Sequence, residues 1–210
     1  RSLTEAASTA RPTERQDASF QRFIAPARTR VLVASVDVQG GINARFEVQV
    51  HAVGPYMEQV PIDRYSIKES LREGVGGKAP VDPAAVAEDW DVITERVLRS
   101  TYRIAGRTDE LRVHLVVVDT GGEGKRKRPG QQAQHHEGVT EMAYAWRRRI
   151  RREGERRRVM HIKGNGGAFD WFVRPTMVGA KAGLGDVPLS LLNTNLLKDA
   201  VDASTRCSAG

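Results

Sequence analysis

Cysteine is almost missing from this chain: Cys207 is the only one in 210 residues. An internal disulfide framework is therefore excluded, and a reducing compartment fits. No apolar run approaches the length of a membrane span, and the amino-terminal stretch has no signal-peptide hydrophobic segment. The expectation is a soluble intracellular protein. No G-x-x-x-x-G-K-[ST] occurs, because Gly77-Lys78 and Gly124-Lys125 lack both the upstream glycine and the following hydroxyl residue; no ATP phosphate loop is present. His135-His136 has no cysteine nearby and no His-x₃₋₅-His spacing, so a polar loop is a better reading than a transition-metal site. There is no internal repeat.

What the chain does have is positive charge and two well-placed acids. Lys and Arg number 33 against 26 Asp and Glu, a formal charge of +7, with a pI near 9.9. That balance favours a polyanionic partner. At 40% apolar composition the chain can bury one substantial core.

Residues 1–28 are rich in Ser, Thr, Ala, Arg and Gln and read as a linker or disordered arm. Residues 29–210 carry the folded pattern. Val31–Val38 is a near-continuous apolar run, as expected of a strand covered on both faces. After Gly40-Gly41, Arg45–Val53 alternates and predicts a half-exposed antiparallel partner. Met57–Ile67 supplies a third, shorter strand. A glycine-rich loop over 74–78 leads to Asp82-Pro83, a helix start. Val86, Trp90, Ile93 and Val97 then recur at helical spacing, predicting about five turns closed by Gly106.

Leu111–Val118 reads as a buried strand, parallel to the first because a crossover helix separates them. A second helix carries Val139, Met142, Ala143, Trp146 and Ile150 on one stripe. It runs into eight arginines within residues 147–158. Val159–Ile162 is a fifth strand, and 193–201 a short terminal helix.

The order β-β-β-α-β-α-β describes an α/β fold with a ribonuclease-H-like mixed sheet: a three-strand antiparallel meander plus parallel strands, flanked by helices. In that arrangement the first strand and the Leu111–Val118 strand are neighbours. Asp37 and Asp119, at the ends of their apolar runs, then emerge side by side. An ionised carboxylate at a core edge needs a partner, and a divalent cation shared by the two is a good candidate. Two ions about 4 Å apart can stabilise the attacking and leaving oxygens of phosphodiester cleavage.

Five short motifs occur in a familiar order: Val36-Asp37-Val38-Gln39, Val53-Gly54-Pro55, Ile62-Asp63-Arg64, Val118-Asp119-Thr120-Gly121-Gly122 and Ile162-Lys163-Gly164. Together they resemble the nuclease domain of tailed-phage terminase large subunits of the lambda-type (GpA) family, over roughly Thr29 to Val201. The resemblance implies a ribonuclease-H-like endodeoxyribonuclease that cuts concatemeric double-stranded viral DNA during packaging, with Mg²⁺ or Mn²⁺. It implies a terminase small subunit, a portal and an ATPase motor as partners, and the host cytoplasm as the compartment. It also places a third catalytic aspartate on a late helix, so the 29–210 domain reads as truncated at its carboxyl end.

On this reading Asp37 and Asp119 are the catalytic metal ligands. Asp63 is a possible accessory acid, with a salt bridge or edge charge as its other reading. Lys163 can approach the scissile phosphate as a point charge or be an exposed turn lysine. Lys125, Arg126, Lys127 and Arg128, with Arg147, Arg148, Arg151 and Arg152, can neutralise DNA phosphates; a solvated helix end favoured by the dipole is the alternative. Glu47 reads as solvated. Asp170, Asp186, Asp199 and Asp202 are weak substitutes for the third acid. Trp90 and Trp146 read as core, and Trp171 is left unassigned. Other ribonuclease-H-like nucleases, of resolvase or transposase type, and a non-catalytic DNA-binding packaging module are the competing functions.

Overall fold

The computed structural model describes residues 21–121, 136–166, 170–178 and 187–207. Its strands are β1 (Ile24–Ala25), β2 (Val31–Gln39), β3 (Arg45–Val53), β4 (Gln59–Ile67), β5 (Glu69–Gly74), β6 (Gly77–Pro80), β7 (Thr101–Ile104), β8 (Glu110–Asp119), β9 (Val159–Asn165), β10 (Val173–Val178) and β11 (Val187–Asn193). Its helices are α1 (Asp91–Ile93), α2 (His136–Arg152) and α3 (Thr194–Cys207). A 3₁₀ turn at Ala87–Trp90 and a π turn at Thr94–Leu98 extend α1 into one helical segment, 87–98.

The large sheet runs β10-β11-β9-β8-β2-β3-β4, with β1 and β7 attached beside β8. The β2-β3-β4 meander is antiparallel, whereas β2, β8, β9 and β11 run parallel. The fold is thus mixed α/β, with a large sheet of parallel and antiparallel strands. The predicted neighbours β2 and β8 do pair, Val36 standing against Val118.

One face of the sheet is the core. Leu32, Ala34 and Val36 of β2, Phe46, Val48 and Val50 of β3, and Val116 and Val118 of β8 are buried there. They pack with Trp90, Val97 and Leu98 of the 87–98 segment and with Ala143, Trp146 and Ile150 of α2. Trp90 meets Phe46 edge-on at 5.3 Å and Trp146 at 5.8 Å, so the two tryptophans join helix to helix and helix to sheet. Gly138 lets α2 come this close, since a Cβ there would lie 2.3 Å from the Ala84 carbonyl oxygen.

Several expectations need correction. The first apolar run is covered on one face only: Ser35 and Asp37 are exposed, so the continuous run reflects valine content, not two-sided burial. The five-turn helix is the shorter 87–98 segment. Val86 is extended (φ −121°, ψ 107°), and Asp82 caps only a local turn through the N–H groups of Ala84 and Ala85. Residues beyond Leu98 leave the helix, and Tyr102 and Ile104 bury as alternate positions of β7. The glycine-rich loop is the turn of the β5–β6 hairpin. Lys163 lies inside β9, and β10 and β11 extend the sheet beyond the predicted fifth strand. The core also begins before residue 29, because Ala25 of β1 is buried against β7.

The β5–β6 hairpin is tied to the helical segment by Asp89. Its carboxylate is buried and accepts from Ser70 Oγ (2.5 Å), Arg72 Nε (2.7 Å) and Nη2 (3.0 Å), and the Asp82 N–H (2.6 Å). Burial pushes this carboxyl up, but Arg72, Ser70 and the Asp82 amide together outweigh it and hold it below the usual range.

Candidate active site

Parallel pairing of β2 with β8, continued one residue past Val36–Val118, sets Asp37 beside Asp119 across one strand spacing of about 4.8 Å. Antiparallel pairing sets Glu47 directly opposite Asp37 on the other side. Period-two alternation turns all three toward the face away from the helices. There they line a shallow depression of about 230 Å³ with Gln49, Arg64 and Ile162.

The turn after β8 explains the Asp-Thr-Gly sequence. Asp119 Oδ1 accepts the Gly121 N–H at 2.8 Å. Thr120 is buried; its N–H and hydroxyl both donate to the Ile162 carbonyl at 3.0 Å, and its own carbonyl accepts from Thr140 Oγ1. The strand exit is thereby stitched to β9 and to α2. Gly121 lies close to Lys163: a Cβ there would lie 2.8 Å from Lys163 Cγ, so that side chain would have to move. Lys163 is brought to the acid pair in this way, and its charge acts on Asp119.

The electrostatics of the pair are unbalanced. Burial raises the Asp119 carboxyl above its ordinary range and the neighbouring Asp37 charge adds to the rise, while the Gly121 N–H and Lys163 only partly oppose it. Asp37 Oδ2 accepts a hydrogen bond from Gln39 Nε2. Glu47 is not simply solvated: Arg45 Nε and Ser66 Oγ both donate to it, and Arg45 first, then Ser66, hold its carboxyl low. Among the described residues no three His, Cys, Asp or Glu side chains converge as a preformed metal cluster.

Other sequence candidates lie elsewhere. Asp63 stands opposite the buried Val50 and binds Arg22 and the Tyr102 hydroxyl, outside the depression. Lys125, Arg126, Lys127 and Arg128, with His135 and Asp186, lie outside the described residues. Asp170, Asp199 and Asp202 do not line the depression.

The arginine run sits at the other end of the sheet. Arg158 donates to the carbonyls of Leu98 (2.6 Å) and Val113 (2.5 Å), and Val113 precedes Asp119 by six residues, about 20 Å of strand. Arg149 is likewise internal, bonded to Asp91 and the Ala87 carbonyl. Arg147 and Arg148 are half-buried, while Arg151 and Arg152 are exposed. Arg64 was missed from sequence. Its place follows from the β3–β4 register, Gln49 against Arg64, beyond a bulge that composition does not reveal.

The mixed α/β sheet thus presents two carboxylates on adjacent parallel strands, at the end where β2 and β8 stop. The chain belongs to the terminase large subunit gpA endonuclease domain family, whose model matches residues 1–210. No curated protein and no solved structure matches the chain. Among the described residues no helix is long and apolar enough to cross a membrane.

Proposed function

We propose that this domain is a divalent-metal-dependent endodeoxyribonuclease of ribonuclease-H-like design that cuts concatemeric double-stranded viral DNA during packaging. The observation that carries the reading is the register of β2 and β8, which sets two carboxylates side by side with their negative charge incompletely offset.

The donor set fits Mg²⁺ or Mn²⁺. Both side chains offer hard oxygen donors, and Mg²⁺ commonly takes one or two carboxylates and keeps its remaining waters. Asp37 and Asp119 are the ligands. When bound, two such ions supply charge stabilisation to the attacking and leaving oxygens of the phosphodiester.

The chain's own groups prepare that chemistry. Gln39 fixes one oxygen of Asp37, and the Gly121 amide fixes one of Asp119. Thr120 holds the turn rigid. Lys163, whose charge acts on Asp119, is the cation offered to a phosphate oxygen, and Arg64, which lines the depression, offers a second. Asp63 has no part in the reaction and serves the Arg22–Tyr102 contact. Arg151 and Arg152 take phosphates at the far end of the sheet, and the 125–128 basic segment is a further phosphate contact. The small subunit, the portal and an ATPase motor are the partners, the host cytoplasm the compartment, and the nuclease unit is 29–210 together with β1, whose Ala25 is buried in the same core.

Nicking of supercoiled plasmid in Mn²⁺ tests this. Asp37→Ala and Asp119→Ala should each lower the rate by more than about 100-fold, since even outer-shell partners of metal sites are worth 10–100-fold. Undiminished nicking by both variants overturns the assignment. DNA binding with a steep salt slope and no cutting in either metal favours the non-catalytic packaging module.

A further inference from the structure

The sheet carries an exposed aromatic patch that the cleavage chemistry does not use. Trp171 is 74% exposed and Phe172 51%, although rings of this size usually lose most of their surface on folding. Trp171 lines an open cavity of about 590 Å³ with Asp170, Val173, Arg174 and Pro175. That volume lies within the range of small-ligand sites, roughly 300–1,000 Å³.

The patch is anchored. The Phe172 carbonyl accepts the Asn193 N–H at 3.0 Å, and Asn193 Oδ1 accepts the amides of Asn195 and Leu196 at the start of α3. Val173 pairs with Leu192, and Asn193 pairs with Asn165 of β9. The patch therefore stands at the end of the sheet where β8 and β9 deliver Asp119 and Lys163. Three strand spacings separate β10 from β8, about 14 Å.

We infer that Trp171 and Phe172 form a stacking platform for unpaired nucleobases of the DNA strand that runs past the carboxylate pair. The inference rests on the nuclease reading above. Three features select this occupant. The platform is continuous with the catalytic end of the sheet through β9 and β11. Arg174, exposed beside Trp171, can take the backbone phosphate, while Asp170 on the same rim disfavours phosphate over the rings and leaves them to bases. Exposed aromatic faces flanked by cations are also the general means of holding single strands without sequence readout. A base inside a duplex is already stacked, so the platform discriminates for unpaired ones.

The test uses the whole chain in EDTA, so it does not depend on cleavage. Trp90 and Trp146 are fully buried, which makes Trp171 the iodide-accessible emitter. A single-stranded 15-mer should quench that emission and protect it from iodide. A blunt duplex and an abasic 15-mer should leave it unchanged. Trp171→Ala should weaken single-strand binding by roughly 5- to 150-fold, with Trp171→Phe restoring most of it. Unchanged far-UV circular dichroism and melting would show both variants folded. Asp37→Ala, which removes cleavage, should quench as the parent does. Equal quenching by duplex and single strand, no quenching by either, or unaltered affinity in folded Trp171→Ala overturns the platform while leaving the plasmid assay intact.

Discussion

Asp89 and Asp119 are both withdrawn from water, and the protein treats them in opposite ways. Asp89, wedged between the β5–β6 hairpin and the helical segment, is surrounded by Arg72, Ser70 and the Asp82 amide. Asp119, on the far face of the sheet, has the Gly121 amide, a lysine at its side and a second carboxylate next to it. Burial pushes both carboxyls up; donors reverse the push at Asp89 and fail to at Asp119. Desolvation alone therefore does not mark a reactive acid. The deficit of donors is what sets Asp119 apart, and the proposed cation would offset it.

The comparison can be broken most sharply at Asp89. Asp89→Ala should cost about 3 kcal/mol, because removing one partner of a buried pair strands the other polar groups. For a chain of this size that is a fall in Tm of roughly 6–12 °C, read by thermal unfolding. A change under 2 °C would mean that Asp89's donors are not structural. At the other acid, Mn²⁺ at 100 times its Kd should stabilise the parent by about 2.7 kcal/mol, and Asp37→Ala should abolish that shift. Calorimetry with and without the ion separates the two outcomes.

His161 supplies a third case: a buried group whose ring nitrogens have no hydrogen-bond partner among the described residues. It is stacked between Tyr144 at 6.1 Å and Trp146 at 5.9 Å. Burial, with Arg147 adding, lowers its pKa to about 3, so it folds neutral. The unfolded chain binds the proton first, and stability should fall as pH drops below about 6.5, by at most ~1.4 kcal/mol per pH unit. His161→Phe should flatten that limb between pH 6.5 and 4 in urea titrations. The smallest effect is expected at Asp119→Asn in metal-free buffer. The folded carboxyl titrates above its unfolded value, so ionisation costs stability as pH rises through that interval. The amide removes the cost and should raise Tm at pH 7, read by thermal unfolding beside the parent. No rise would mean that Asp119 is better satisfied than its neighbours suggest.

Much of the architecture was legible because it is written in local periodicity. The alternation of 45–53 and the stripe Val139–Ile150 each correspond to one element, and a helix between two apolar runs was enough to make β2 and β8 parallel. What escaped depends on distant partners. Tyr102 and Ile104 fall within the span predicted as helix, and their strand exists because β1 and β8 lie beside it. β10 contains Pro175 and few buried residues, and it exists because β11 lies beside it. At the acid site, the side-by-side placement of Asp37 and Asp119 could be anticipated from topology. The role of Ser66 toward Glu47 and the arrival of Arg64 could not, because the β3–β4 register decides them; the Arg45–Glu47 contact is local to β3. Arginine density alone does not say which side chains face outward: Arg149 and Arg158 pair within the fold, while Arg151 and Arg152 are exposed.

The crossover through α2 has a metric consequence. Seventeen residues of helix span about 25 Å, and they separate the carboxylate end of the sheet from the end that carries Arg151 and Arg152. A duplex advancing about 3.4 Å per base pair covers that length in about seven pairs. On the proposed reading the helix is a ruler between the end where a strand would be cut and the end where its backbone would be gripped, so cutting and holding could be varied independently by changes at opposite ends of one rod.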